Sequence, residues 1–156
     1  MRVLFMCTAN SCRSILSEAM FNHLAPQGFQ AVSAGSFPKG QVLPRSLTTL
    51  LEAGIAIDGL SSKGNDAFQN NPPDIVITVC DKAAGEACPV YFGPALKAHW
   101  GLEDPSEVKG DDAAVTAAFH ATLARIETRC RAFLALPFAQ LDATTLKCEL
   151  DRISTL

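Results

Sequence analysis

Cys7 and Arg13 are separated by the small or polar residues Thr8, Ala9, Asn10, Ser11 and Cys12. A stretch of this kind suits the binding of a tetrahedral oxyanion. Successive backbone N–H groups of a short loop can turn inward as an anion nest, and a helix N-terminus behind it adds partial positive charge. Arg13 can add a planar, two-pronged donor to two oxygens of the ligand. Cys7, at the floor of the loop, feels the same positive field, which favours its thiolate as a nucleophile toward the ligand's central atom. The other chemical candidates are two thiols, Cys80 and Cys88, with seven residues between them, and the acidic stretch "HWGLEDPS" that contains Asp104.

The pattern around these residues alternates strands and helices. The apolar run 2–6, "RVLFM", predicts a buried strand, and Ile15, Leu16, Ala19, Met20, His23 and Leu24 recur at helical spacing until Pro26 and Gly28 stop them. A second strand is expected over 29–35, a helix over 44–54 with Pro first and Gly last, a third strand over 74–79 and a weaker fourth over 96–100. The longest helix is expected over 111–136, with Asp111 and Asp112 suiting its start, and a final one over about 142–153. This alternation implies an α/β fold: a single-domain, open, mostly parallel four-stranded sheet with helices on both faces, spanning 1–156. In such sheets ligands bind outside the carboxyl ends of the strands, where Cys7 and Cys80 would both sit.

Composition narrows the function. The chain has 13 basic and 16 acidic side chains without a long run of either sign, so no nucleic-acid footprint is visible and an anion must be bound locally. No segment is long and apolar enough for a membrane span, and the first apolar run is too short for a signal peptide, so a cytoplasmic protein is expected. In that compartment the six cysteines read as reduced thiols with catalytic, metal-binding or core roles. No CxxC occurs, which argues against zinc.

The C-x5-R-S motif after the first strand resembles that of the low-molecular-weight protein tyrosine phosphatases and of the arsenate reductases that share their fold. With Cys80, Cys88 and Asp104-Pro105 added, the resemblance is to thioredoxin-coupled arsenate reductases and covers most of the chain. It implies Cys7 as nucleophile, Arg13 as oxyanion clamp, Ser14 as hydroxyl donor to the thiolate and Asp104 as general acid. It also implies a Cys7–Cys80–Cys88 disulfide relay, no cofactor, and an external dithiol reductant, either thioredoxin or a glutaredoxin/glutathione system. In the best-known members one residue fewer separates the shuttle cysteines. Tyrosines that normally follow the acid in the phosphatases are missing, Ser106 standing next to Asp104-Pro105 and Tyr91 being the only tyrosine. Some members bind potassium through an Asn, a Glu, a Ser and an Asp; here Asn10, Glu18 and Ser33 match, but Lys63 stands where the Asp would be. An ammonium in place of the cation implies no metal.

Two alternatives remain at this level: a phosphatase of the same fold, and a non-enzymatic phosphocysteine carrier or oxyanion sensor. A built-in acid at Asp104 speaks against the carrier. Cys12 is expected to be loop filling, Cys130 and Cys148 buried or inert thiols, and His23 and His120 core or edge residues. His99, next to the acid segment, is a candidate for positioning it.

Overall fold

The computed structural model describes residues 1–91 and 93–156; Phe92, inside the 81–95 segment between Cys80 and the fourth strand, lies outside the described residues. The observed elements follow the sequence pattern closely. They are β1 (Arg2–Cys7), α1 (Arg13–Leu24), β2 (Gln30–Gly35), α2 (Pro44–Glu52), β3 (Ile75–Thr78), β4 (Leu96–His99), α3 (Asp112–Leu134) and α4 (Ala143–Ile153). The Asp111 side chain caps α3 by accepting from Ala114 N–H at 2.9 Å, and Asp142 caps α4 through Thr145 N–H at 2.8 Å. A side-chain oxygen in each case satisfies a donor that the first helical turn leaves unpaired.

All strands are parallel, in the order β2-β1-β3-β4. The chain leaves β1 toward one edge and later returns to its other side, so the crevice between the carboxyl ends of β1 and β3 is a topological switch point. Cys7 closes β1, and Val79 N–H, just after β3, donates to Met6 O at 2.9 Å. Cys7 and Cys80 therefore emerge on neighbouring strand ends.

Because side chains alternate along a strand, the sheet divides the core in two. On one face Val3, Phe5, Ile75 and Ile77 pack with Leu16 and Met20 of α1, Leu50 of α2, Phe119, Ile126 and Phe133 of α3, and Leu150 of α4. On the other face Leu4, Met6, Ala34 and Val76 are covered by Phe68 and Tyr91. The two faces are covered unevenly: the four α-helices all contribute to one cluster, and the second face has the short 3-10 helix Asn65–Phe68. The stretch before β3, "SSKGNDAFQNNPP", explains the difference, since its Gly, Asn and Pro residues do not support a longer helix.

Candidate active site

The β1–α1 loop is held from outside by its carbonyls. Those of Cys7, Thr8, Ala9 and Ser11 accept from the N–H groups of Ser36, Phe37, Lys39 and Leu43 at 3.0–3.2 Å, except Thr8 O at 2.9 Å. In a trans peptide the C=O and the next N–H point in opposite directions. Since no cis bond occurs among the described residues, the N–H groups of Thr8, Ala9, Asn10 and Cys12 must turn inward. Helix α1 adds to this donor set, because it has neither a side-chain cap nor an acidic residue in its first turn. Close approach to β2 is possible only because residue 35 is glycine: a Cβ there would lie 2.5 Å from Thr8 O and 3.0 Å from Asn10 N.

Asn10 carries the loop's sharpest bend. It has φ +47 and is the one non-glycine residue with positive φ among those described, a conformation asparagine tolerates better than most residues. Its Oδ1 accepts from Lys63 N–H at 2.9 Å, which fixes the amide orientation, and its Nδ2 donates to Ser14 Oγ at 2.8 Å and to Ser33 Oγ at 2.9 Å. Ser33 Oγ in turn donates to Glu18 Oε1 at 2.7 Å. Ser14 Oγ lies 2.9 Å from Cys7 Sγ, so while it accepts from Asn10 its own hydrogen is available to a Cys7 thiolate. Lys63 Nζ stands 3.7 Å from Glu18 Oε1, beside the residues that the resemblance matches to a potassium site. Burial pushes the Glu18 carboxyl up and the Lys63 ammonium down in pKa, and their mutual attraction opposes both. Lys63 thus supplies a positive charge of the protein's own at that place.

Arg13 is buried and points into a cleft of about 690 Å³ lined by Thr8, Glu86, Glu103 and Asp104, among others. Its Nη1 donates to Leu102 O at 3.2 Å, and its Nη2 is 3.5 Å from Asp104 Oδ2. Glu86 grips the guanidinium with both oxygens, at 2.7 and 2.8 Å. Burial works against the Arg13 charge, but the Glu86 hydrogen bonds and the Asp104 carboxylate outweigh it and raise its pKa. Asp104 is oriented from behind, its Oδ1 accepting from Ser106 N–H at 2.9 Å and Ser106 Oγ at 2.6 Å. The "EDPS" stretch is therefore an Asp-capped 3-10 turn that leaves Oδ2 toward Arg13.

Cys80 and Cys88 are joined as a disulfide with their Cα atoms 5.7 Å apart. Cys80 is fully buried and Cys88 partly exposed, so Cys88 is the sulfur nearer solvent. The hydrogen-bond partners of His99, the candidate for positioning the acid segment, lie on the neighbouring strand and on Cys88. Its Nδ1 is 2.8 Å from Thr78 Oγ1 and 3.8 Å from Cys88 Sγ, because Thr78 and His99 pair across β3 and β4. Burial and the nearby cations Lys82 and Arg129 lower its pKa and keep it neutral near pH 7.

The remaining thiols divide. Burial pushes Cys12 and Cys130 each up to about 12, so both stay protonated and unreactive at neutral pH. Cys148, expected to be buried or inert, is exposed. His23 and His120 are both at the surface, His120 paired with Glu52 at 2.9 Å. Glu86 and Leu102 O are the site groups that motif reading misses. The only trace of Glu86 in the sequence is an acidic residue inside a loop bounded by two cysteines.

Comparison with known proteins gives a consistent picture. Residues 2–147 match the low molecular weight phosphotyrosine protein phosphatase family. The arsenate reductase of Halalkalibacterium halodurans is 31% identical over 131 residues, which are 84% of this chain and 93% of that protein. The crystal structure of an arsenate reductase from Archaeoglobus fulgidus superposes with a TM-score of 0.72 at 26% identity, covering 86% of this chain and 99% of the other. A thioredoxin-dependent arsenate reductase of Corynebacterium glutamicum does so with a TM-score of 0.58 at 29% identity, over 80% of this chain and 57% of the other.

Proposed function

The chain belongs to the low molecular weight phosphotyrosine protein phosphatase family, and on that premise we propose that it is an arsenate reductase that works through internal thiols. One observation carries the reading: a dithiol pair, Cys80 and Cys88, begins at the end of the strand next to the one that presents Cys7. Ester hydrolysis needs a nucleophile, a clamp and an acid, and no second thiol.

Arsenate enters the loop with its oxygens on the inward N–H groups and Arg13. The Cys7 thiolate, receiving the Ser14 hydrogen bond, attacks arsenic as one oxygen leaves as water with a proton from Asp104. The Cys80 thiolate then attacks Cys7 Sγ. The S–As bond breaks with its electron pair on arsenic, which departs as arsenite, and a Cys7–Cys80 disulfide remains. Attack by the Cys88 thiolate on Cys80 Sγ frees Cys7 and leaves Cys80–Cys88. An external dithiol, with thioredoxin the first candidate from the Corynebacterium glutamicum relative, takes over that disulfide and returns both thiols. His99 stands beside Cys88 as a neutral imidazole able to accept the thiol proton in the second exchange.

The reading is tested by arsenate-dependent oxidation of thioredoxin by the purified protein. One arsenite is expected per disulfide formed, and thioredoxin oxidation without arsenite would reject it. Asp104→Asn should slow formation of the Cys7 adduct by about 10²–10⁴-fold, the range of general-acid catalysis. Rapid-quench measurement of the first turnover checks this. An unchanged rate would move the role to Glu103, which lines the same cleft.

A further inference from the structure

The loop between Cys80 and Cys88 is short and internally bonded. The Asp81 carboxylate accepts from Ala84 N–H at 3.1 Å and so caps the 3-10 turn Lys82–Ala84. Gly85 follows with φ +83, a left-handed conformation that glycine enters without strain. This turn brings Glu86 back over the β1–α1 loop. Glu86 Oε2 accepts from Arg13 Nη1 at 2.7 Å and from Asp81 N–H at 2.8 Å. Its Oε1 accepts from Arg13 Nη2 at 2.8 Å and from Thr8 Oγ1 at 3.3 Å.

A carboxylate on both prongs of the guanidinium, with a third donor from Thr8, uses the donors that two oxygens of a phosphate-class anion would need. Nη1 also donates to Leu102 O, and Nη2 also faces Asp104 Oδ2. A second bidentate acceptor cannot share that fork, and an oxyanion drawn to the remaining Nε–H would meet the Glu86 charge at close range, so Glu86 and a bound oxyanion compete for the same guanidinium. We infer that Glu86 is an internal competitor that closes the oxyanion cradle while Cys80 and Cys88 are joined, and leaves it when their reduction releases the loop. The Arg13 hydrogen bonds also hold the Glu86 carboxyl below its ordinary pKa, which keeps it charged and seated through the neutral range.

The seal makes the cycle ordered. In the disulfide form Cys7 is a free thiol, but Cys80 has no thiolate to offer, so arsenate captured then would have no internal electron donor. Reduction therefore precedes binding. This use of the seal rests on the proposed arsenate chemistry, whereas the seal itself concerns only one disulfide and one class of anion.

Titration calorimetry with inorganic phosphate tests it on the full chain, with no turnover involved. The samples are wild type and Glu86→Ala, each in the reduced state and in the Cys80–Cys88 state verified by mass. If the sealed form holds about nine-tenths of the oxidised population, apparent phosphate affinity falls about tenfold on oxidation of the wild type. Oxidised Glu86→Ala is expected to bind as reduced protein does. Glu86→Gln, nearly isosteric and uncharged, should also recover affinity, which keeps the test open if the alanine variant folds poorly. Equal affinity of the oxidised wild type and the oxidised variants overturns the proposal. So does an oxidation-dependent loss that persists in the variants, since the disulfide would then act through another group. A seal with failed arsenite production would instead reject the reductase reading alone.

Discussion

Cys80→Ser is expected to abolish arsenite production and to retain hydrolysis of an aryl phosphate. The two activities share the cradle and the Cys7 attack, and they part only afterwards. A phosphocysteine is resolved by water, whereas the arsenic adduct must lose its sulfur to a second thiolate so that the bond's electron pair stays on arsenic. A serine hydroxyl is nearly as small but does not make that attack. Arsenite quantified over many turnovers, with p-nitrophenyl phosphate hydrolysis measured beside it, reads both effects on one preparation. Loss of both activities would place Cys80 in the architecture of the loop, and retention of both would remove the internal relay. Cys88→Ser extends the series: it should release about one arsenite per protein and stall with Cys7 joined to Cys80, by the disulfide accounting of the relay.

The second large effect is expected at Cys7 and Arg13. Cys7→Ser should remove arsenate reduction and ester hydrolysis together, because both begin with attack by sulfur at this position, and an alcohol at the same place stays protonated and weakly nucleophilic. Arg13→Lys keeps the charge and loses the fork. The buried Arg13 donates at once toward Leu102 O and to an acceptor across both Nη atoms, a geometry that an ammonium does not reproduce. Loss of a single preorganised donor in comparable oxyanion sites is worth about 10²–10³-fold in rate, and Arg13→Lys should fall at least that far in single-turnover adduct formation. A near-normal Arg13→Lys would show that the loop N–H groups bind the anion without help.

The elements of this fold are legible because each is bounded by a local physical signal. The run "RVLFM" ends where small polar residues begin, Pro44 opens α2, and Asp111 and Asp142 supply the oxygens that start α3 and α4. Cys7, Arg13 and Ser14 are legible for the same reason, since a strand, a loop of fixed length and a helix leave little freedom in where they point. Asp104 is legible through its Pro105-Ser106 neighbours, which build its capped turn. Glu86 and His99 are of another kind. Glu86 reaches Arg13 only through the closure of the 81–87 stretch, and His99 reaches Cys88 through the β3–β4 register. Both are products of long-range pairing, which hydrophobic period and capping residues do not encode. The uneven covering of the sheet belongs with them, since it depends on where the helices dock.

Arg129 gives the acid segment a dependence on a distant part of the chain. It is 2% exposed and has burial as the main cause of a pKa lowered to about 10, and its acceptors are three main-chain oxygens: Gly101 O at 3.0 Å, Ser154 O at 2.9 Å and Leu156 O at 3.3 Å. The first belongs to the segment that leads to Asp104, and the other two lie beyond residue 147, where the family match stops. The guanidinium is thus a rivet between the segment that carries Asp104, the proposed acid, and residues outside the family's common pattern. Shortening the chain to residue 153 would strip two acceptors from a buried cation and loosen the segment that carries Asp104. Sequence drift in those final residues can therefore act as a tuning screw on the placement of Asp104 while every residue in the cleft stays the same.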